Sequence, residues 1–538
     1  MISNPQTSDN AITPVTSSQP YKTFDLGTET SKNDLTLEHL DQLKKAVFAK
    51  QKNIGELYDQ IAQVPFYNYY RSHARENRNK IIKSRKMESV PVIQEEIRRV
   101  LGSRIAETVA KQFKDNDSIS TVQHHAPIGH PDTLNAVLES ALPYFGSNNP
   151  EHQNLLVFAC AGVSFNNTKF PKGHLFHSLT EGRLDTNQLT FFGHTVSARP
   201  VMHHHGYDYE DIVSMKNALQ QYKRDGLVND EYFIKISALI DELYSPPHPL
   251  SVDDYVDQVT ITNYWFFKKL FKNYRKNVPN LVFMSQEKVA LALIMKHHIE
   301  RETPIYKMMF DETVLDMVEK YFDGIQGAFS KKDEIGTFLF WGFPKHGKYR
   351  VQLWRKGNFL EDKEGSFKIE LTPETIKRAI LNKELIPSVM LSFAVLACYY
   401  GFFLGGGHMQ TKYLTQMKEA YGKIVSEIGD QESVDALEGL TTNNFVIPRP
   451  TMVYLKSGDK RVPVTGLDML LYSDGGENWQ NIIEATKRIT MGQIIERMLP
   501  GLYREVSENP DPELLAITER DIEVFNGLER VLPPIIVL

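Results

Sequence analysis

The chain has 538 residues, which is too long for one compact core and predicts two to four domains or sub-domains. Its hydrophobic fraction of 41% and charged fraction of 24% are typical of globular protein, so most of the chain is expected to fold. The formal net charge of −6 argues against a dedicated nucleic-acid binder, and no nucleic-acid partner is expected.

The N-terminal part of the sequence predicts a polar tail followed by helices. Residues 1–33 are rich in Ser, Thr, Asn, Gln and Pro without periodicity, which is typical of disorder. From Leu35 onward, apolar residues recur at helical spacing. Residues 34–115 are therefore predicted to form a helical prelude that packs on the main domain.

Residues 116–335 predict an α/β core. A short strand at residues 119–123 ends in a loop with three histidines, and a helix follows with Pro131 in its first turn. Two more buried strands are predicted within residues 155–165 and 279–286. Strands that alternate with helices favour a Rossmann-like wound sheet shared by all three strands, with a helical insertion between them.

The rest of the chain predicts a flap and a helical region. Residues 336–371 have the two-residue period of strands and are predicted to form a small antiparallel β flap. Residues 372–538 are predicted to be mostly helical and to complete the site. The charge-free run at 388–404 is interpreted as a buried core helix rather than a membrane span.

Two features of the sequence predict the cellular compartment of the protein. Cys160 and Cys398 fit no disulfide or metal spacing, which indicates buried thiols in a reducing environment. No charged start followed by an apolar run is present, so no secretory signal is predicted. We expect a cytoplasmic protein with no membrane partner.

The histidine-bearing loop after the first strand is the leading candidate site. In an open α/β sheet, ligands bind beyond the carboxyl ends of the strands. We expect His125 and His130 to stabilise phosphate charge as catalytic residues, and Lys172 to neutralise it. The other residues predicted to contact a nucleotide in this region are His124, Gly129 and Asn166.

A motif and a glycine cluster support phosphate binding. The tetrapeptide PIGH, which follows a strand and opens a helix, resembles the HxGH loop of nucleotidyl-transferring Rossmann proteins, although Pro127 replaces its first histidine. Further along, a run of three glycines permits close ligand approach, and the helix N-terminus after it favours an anion. The nucleotide contacts predicted there are Gly405, Gly406, Gly407 and His408.

Two other classes of function remain open. Three or more histidines could hold a divalent metal that activates water, as in a metal-dependent hydrolase or oxygenase. The candidate metal ligands are His174, His177, His203 and His205. Neighbouring residues of one strand point apart, which ranks this reading second. A third possibility is a non-catalytic scaffold, whose histidines would be scattered.

From residue 372 to residue 421 the sequence resembles a segment of the cysteine ligases of bacillithiol synthesis. The shared features are a helix containing Ile386 and Pro387, a long apolar segment, a glycine cluster and an aromatic-bearing helix. A small sheet, here YRVQLWR and SFKIEL, precedes them in both. The resemblance implies a Rossmann-like core, a nucleotide site and an amino-sugar conjugate as substrate. We therefore predict a nucleotide-dependent ligase or nucleotidyltransferase that uses ATP or another nucleotide on a small metabolite.

Overall fold

The structure is a computed structural model that describes residues 35–72, 79–180, 183–344, 349–457, 460–531 and 536–537. The tail predicted for residues 1–33 lies outside these ranges. The described chain is a mixed α/β structure, in which a four-stranded parallel sheet is flanked by helices and accompanied by small antiparallel sheets.

The central sheet contains the three strands predicted from the sequence and a fourth. Its strands are β1 (Ser118–Ser120), β2 (Asn154–Ala159), β3 (Asn280–Ser285) and β4 (Phe403–Gly405). They are parallel and lie in the order β4-β1-β2-β3. β2 is buried along its whole length, as expected for a strand covered on both faces. The prediction that three strands share one sheet is confirmed.

The fourth strand comes from the charge-free run at 388–404. This run is buried as predicted, but it is not one helix. It forms a short helix Val389–Phe393, a π-helical turn Ala394–Tyr399 and then β4. Gly401, at φ 66°, turns the chain between helix and strand in a conformation that favours glycine. The sheet therefore takes one strand from outside residues 116–335.

The region predicted as a flap is rich in β-structure, but it forms two three-stranded antiparallel sheets instead of one. The first contains Trp354–Lys356, Phe359–Glu361 and Lys368–Glu370. The second contains Phe340–Gly342, Val351–Gln352 and Leu385–Pro387. Ile386 and Pro387, which were predicted to lie in a helix, thus belong to a strand. Further pairings join Phe329–Ser330 with Ile335–Gly336, Gly173–Thr180 with Arg183–Thr190, and Tyr454–Ser457 with Lys460–Pro463 and Ile536–Val537.

Helices precede and surround the sheet. Those before β1 lie in the range predicted for the helical prelude and are Leu37–Lys50, Lys52–Ile61, Phe66–Ser72, Lys80–Leu101 and Ser103–Gln112. Those between β1 and β3 include Pro131–Ala141, Tyr209–Arg224, Asp230–Leu243, Pro247–Leu250 and Tyr255–Leu270. Those between β3 and β4 include Gln286–Leu293, Pro304–Phe310, Glu312–Phe322 and Pro373–Leu381.

The C-terminal region is largely helical, as predicted. Its helices are His408–Glu427, Gln431–Glu438, Gly466–Tyr472, Trp479–Thr486, Met491–Val506, Pro512–Ala516, Glu519–Phe525 and Leu528–Val531. Leu43 and Val47 of the first helix pack with Leu499 in a second, smaller hydrophobic core. In the described part of the chain, we find no helix whose length and apolar character would let it cross a membrane.

Candidate functional site

The carboxyl edge of β1 and β4 lies where the strand order reverses. The chain passes from β1 to β2 and β3 on one side, and β4 then lies on the other side of β1. Crevices at such reversals are the usual ligand sites of open α/β sheets. Beyond β1, Thr121 donates its backbone N–H to the carbonyl of Gly405 at 2.7 Å, and the Gln410 amide donates to the Thr121 hydroxyl at 2.7 Å. These bonds fix the two strand ends to each other.

Gly405, Gly406 and Gly407 have different structural roles at this edge. A Cβ on Gly405 would lie 2.5 Å from the ring of Phe445, and one on Gly406 would lie 2.1 Å from the side chain of Gln410. Packing within the protein therefore accounts for these two glycines, which were predicted to line a ligand pocket. Gly407 is the N-cap of the helix His408–Glu427 and makes no side-chain cap. The backbone N–H of Gln410 donates to the carbonyl of Gly407 at 2.9 Å, so the N–H groups of His408 and Met409 are the ones left for another acceptor.

His130 caps the helix Pro131–Ala141, whose start at Pro131 is as predicted. Its Nδ1 accepts from the backbone N–H of Asp132 at 3.2 Å. Because proline has no N–H and that of Asp132 is occupied, this helix offers an anion fewer donors than the sequence suggested. Burial lowers the pKa of His130 to about 4, so the ring is neutral near pH 7. With Nδ1 accepting, the ring proton lies on Nε2, which can donate.

Lys169 and Arg449 bring positive charge to this edge. Lys169 forms an ion pair with Asp132, in the first turn of the helix that His130 caps. Arg449 has a left-handed backbone, at φ 55°, and its N–H donates to Oε2 of Glu139 at 2.9 Å. The half-buried guanidinium of Arg449 forms no hydrogen bond or ion pair with any residue that the structure describes. It is therefore a cation available to a ligand.

The charge of Arg449 acts on three imidazoles. Burial is the main cause of the lowered pKa of His124, His130 and His408, and the charge of Arg449 lowers each of them further. His408 opens the helix after β4, with Nε2 at 3.4 Å from Oε2 of Glu505. The edge of β1 and β4 thus combines two cations, three neutral imidazoles and an uncapped helix N-terminus.

Asn167 orients His124. Its Oδ1 lies 2.8 Å from Nδ1 of His124 and also accepts the backbone N–H of Lys169 at 3.0 Å. Because a carbonyl oxygen can only accept, Nδ1 donates and the neutral ring keeps Nε2 without a proton. His124 can therefore accept a proton. Asn166, which was predicted to contact a nucleotide, is exposed, and its side chain bonds to Ser164.

His125 does not lie at the edge with His124. It is 0% exposed, its ring packs edge-on against Phe283 at 5.3 Å, and neither ring nitrogen has a hydrogen-bond partner among the described residues. Burial lowers its pKa to about 3. The phosphate-stabilising role predicted for His125 is wrong for this arrangement, because the ring is enclosed in the core.

Gly129 and Lys172 also lie apart from the predicted cradle. A Cβ on Gly129 would lie 2.7 Å from Nδ1 of His174, so this glycine permits the loop to pack on the strand Gly173–Thr180. Lys172 is buried, with Nζ at 5.5 Å from the ring centre of Phe170. Lys169, three residues earlier, is the lysine whose charge reaches His124 and His130.

The histidines of the metal hypothesis do not converge. Each contacts a different partner: His174 with Tyr244, His177 with Asp468, His203 with the carbonyl of Leu385, and His205 with that of Gly206. His174 and His177 lie on a strand, where a separation of three residues puts side chains on opposite faces. Across the described residues, no group of three or more His, Cys, Asp or Glu side chains is placed to hold a metal ion.

The residues that were missed differ in how far the sequence indicates them. Asn167 and Lys169 belong to the polar loop after β2, in which Asn166 and Lys172 were predicted as site residues. Arg449 lies between two prolines, 329 residues after Ser120 at the end of β1 (449 − 120 = 329). No motif marks it.

No protein-family model matches the sequence, and no curated protein matches it at a significant level.

Proposed function

We propose that the protein is a nucleotide-dependent ligase or nucleotidyltransferase that acts on a small metabolite. The phosphates of the nucleotide would bind at the carboxyl edge of β4 and β1. The single observation that carries this proposal is the half-buried guanidinium of Arg449, which has no partner among the described residues and lies beside Lys169 and three imidazoles. A half-buried guanidinium without a partner among the described residues favours a bound oxyanion.

Each residue of the cluster has a role that its geometry allows. Arg449 and Lys169 would bind phosphate oxygens, and the first N–H groups of the helix His408–Glu427 would donate to them. His130 would donate from Nε2 while remaining neutral, and so stabilise negative charge without a change in protonation. His124, whose Nε2 has no proton, would accept the proton of an attacking group.

The strand order supports a Rossmann-like sheet. Read from β3, the order is 3-2-1-4, which is the order of the first four strands of the dinucleotide-binding fold. In that fold the ligand lies between strands 1 and 4, where the cluster is found here. ATP as the nucleotide and an amino-sugar conjugate as the substrate rest on the resemblance to the cysteine ligases of bacillithiol synthesis, and we propose them on that ground.

Nucleotide binding to matched variants tests the proposal. ATP, ADP and inorganic phosphate would be titrated by calorimetry into wild type, Arg449→Met and the control Arg275→Met. Arg275 is an exposed arginine that pairs with Glu477 away from this edge. We expect at least a tenfold loss of ATP affinity for Arg449→Met, equivalent to about 1.4 kcal/mol, and none for the control.

The melting temperature of Arg449→Met should stay close to that of wild type, because the guanidinium makes no bond to another described residue. Equal ATP affinity of wild type and Arg449→Met would contradict the proposed site. A wild type that binds none of the three probes would contradict the proposed function.

A further inference from the structure

Two π-helical turns meet in a part of the molecule that the proposed function does not use. They are Ile294–His298 and Ala394–Tyr399. Their ends are in contact, since the ring centres of His298 and Tyr399 lie 4.7 Å apart. π-Helical turns are rare and occur frequently at functional sites. Two of them that end on the same cluster of polar side chains therefore call for a physical explanation.

Four buried side chains of this cluster end in polar atoms that have no hydrogen-bond partner among the described residues. The atoms are Nη1 of Arg85, Nε2 of His298, Oη of Tyr400 and Oη of Tyr421. Arg85 is 8% exposed, and the other three are completely buried. Buried polar groups are nearly always bonded in folded proteins, so four unbonded ones in one cluster point to a binding partner.

Three of the four groups, those of Arg85, His298 and Tyr400, lie around the ring of Tyr399. The guanidinium of Arg85 lies 4.4 Å from its ring centre, and the ring of Tyr400 lies 4.9 Å from it. The rings of His298 and Tyr400 are 5.6 Å apart. Tyr421 lies on the helix His408–Glu427, which packs on the π-helical turn Ala394–Tyr399.

The unbonded atoms are donors. Arginine has no acceptor, and a tyrosine hydroxyl can donate. The hydroxyl of Thr303 already accepts the backbone N–H of Tyr306 and lies 2.7 Å from Nδ1 of His298. If that hydroxyl donates to Nδ1, the ring proton of His298 lies on Nε2, and we assign this tautomer. A ligand that fits four donors is one rich in acceptor oxygens.

The guanidinium of Arg85 keeps one nitrogen for a ligand. Arg85 uses Nη2 for Glu432 at 3.1 Å and Ser433 at 2.9 Å, which leaves Nη1 unbonded among the described residues. The hydroxyl of Ser433 donates in turn to Asp430 at 2.9 Å, and the nearby carboxylate of Glu88 is occupied by Arg301. Because arginine can only donate, the group that Nη1 can still bind is an acceptor.

We propose that this cluster is a second binding site, which takes a small oxyanion such as a carboxylate or a phosphate group. The site is separate from the proposed nucleotide site. Tyr421 and His408 lie on the same helix, and the difference in number (421 − 408 = 13) places them about 20 Å apart. Arg301, which is 49% exposed, lies on the solvent side of the cluster and bonds to the hydroxyl of Tyr399 at 3.2 Å.

The test removes single donors and uses the Arg449→Met background, in which the proposed nucleotide site is disabled. Sodium phosphate and sodium acetate would be titrated by calorimetry into Arg449→Met, alone and combined with Tyr400→Phe or Arg85→Met. The matched control is Tyr207→Phe, because the hydroxyl of Tyr207 is also buried without a partner but lies in the aromatic core around Phe191.

We expect one of the two ions to bind Arg449→Met, and to bind about tenfold more weakly once Tyr400→Phe is added. Tyr207→Phe should leave the affinity unchanged, and neither Tyr→Phe change should lower the melting temperature of the ligand-free protein. The ion that binds identifies the ligand as a phosphate or a carboxylate.

Three results would overturn the second site. They are an Arg449→Met protein that binds neither ion, equal binding with and without Tyr400→Phe, and a Tyr400→Phe protein that melts earlier but binds the ion as before. The last result would show that the hydroxyl is structural. None of these results bears on nucleotide binding to the wild type, so the two proposals fail independently.

Discussion

The histidines at the edge of β1 and β4 differ from those in the core. His124 and His130 are half-buried, and the charge of Arg449 acts on both. In each ring Nδ1 is bonded, to Asn167 or to Asp132, and Nε2 does not take part in that bond. His125 and His177 are enclosed: one packs against Phe283 and the other is bonded to a carboxylate. A histidine near a strand end is thus not evidence of a site by itself. Nearby charge and an available nitrogen distinguish the functional group from the structural one.

The largest effect should come from the core. The carboxylate of Asp468 accepts from the backbone N–H of His177 at 2.7 Å, from Nδ1 of the same residue at 2.6 Å, and from the N–H of Thr465 at 2.9 Å. Asp468→Ala would leave these donors buried and unbonded, at a cost of about 3–5 kcal/mol. We expect a melting temperature far below that of wild type, measured by calorimetry.

The pH dependence of this effect provides its control. Burial lowers the pKa of His177, but the carboxylate of Asp468 more than offsets this, so the pKa is raised. A raised histidine pKa contributes stability that is complete below about pH 6.5 and is lost as pH rises through the folded-state pKa. The advantage of wild type over Asp468→Ala should therefore shrink at alkaline pH. An advantage that is constant from pH 5.5 to 9 would show that the pair is not ionised.

The fold was predictable where a periodic pattern was long. The prelude helices and the helix at Pro131 have clear helical periodicity, and the strands β2 and β3 are continuous apolar runs; the structure contains all of them. β4 could not be predicted, because three apolar residues that follow a buried helix have the same composition as more helix. Only its pairing with β1 makes it a strand.

The position of the site could be predicted from the sequence, but not all of the residues that form it. The rule that ligands bind beyond parallel strands led to the loop after β1, where His124 and His130 lie. The prediction for His125 failed because the sequence does not show which way a side chain points at the end of a strand. Arg449 could not be predicted from the sequence. Its position at the edge depends on the pairing of Gly406 with Val446, and both segments are far from β1 in the sequence.

At the edge of β1 and β4, two variants of His130 separate its role as a helix cap from its proposed role in catalysis. His130→Ala removes both the cap bond to Asp132 and the Nε2 donor, whereas His130→Asn keeps a capping side chain. We expect His130→Ala to lose about 1 kcal/mol of stability and His130→Asn to lose little. Both should lose about 10²-fold in turnover, since one preorganised donor is missing. Full turnover in either variant would remove His130 from the site.

The smallest change in stability is expected for His125→Leu, and this change is a stabilisation, whereas Asp468→Ala and His130→Ala are destabilised. The ring of His125 is completely buried and bonds to no described residue, so a leucine of similar size removes two unbonded nitrogens and little packing. At pH 7.5 the variant should be as stable as wild type or slightly more so. Burial lowers the pKa of His125 to about 3, so between pH 6.5 and 3 the unfolded chain binds a proton that the folded chain does not.

Wild type must therefore lose stability relative to His125→Leu as pH falls through this window. The gap should widen by about 1.4 kcal/mol between pH 7.5 and pH 5.5, which urea denaturation at the two values would measure. Phosphate affinity should be unchanged, because the ring does not reach the edge where Arg449 lies. A variant that is less stable than wild type at both pH values, or one that binds phosphate more weakly, would place His125 with His124 and His130 after all.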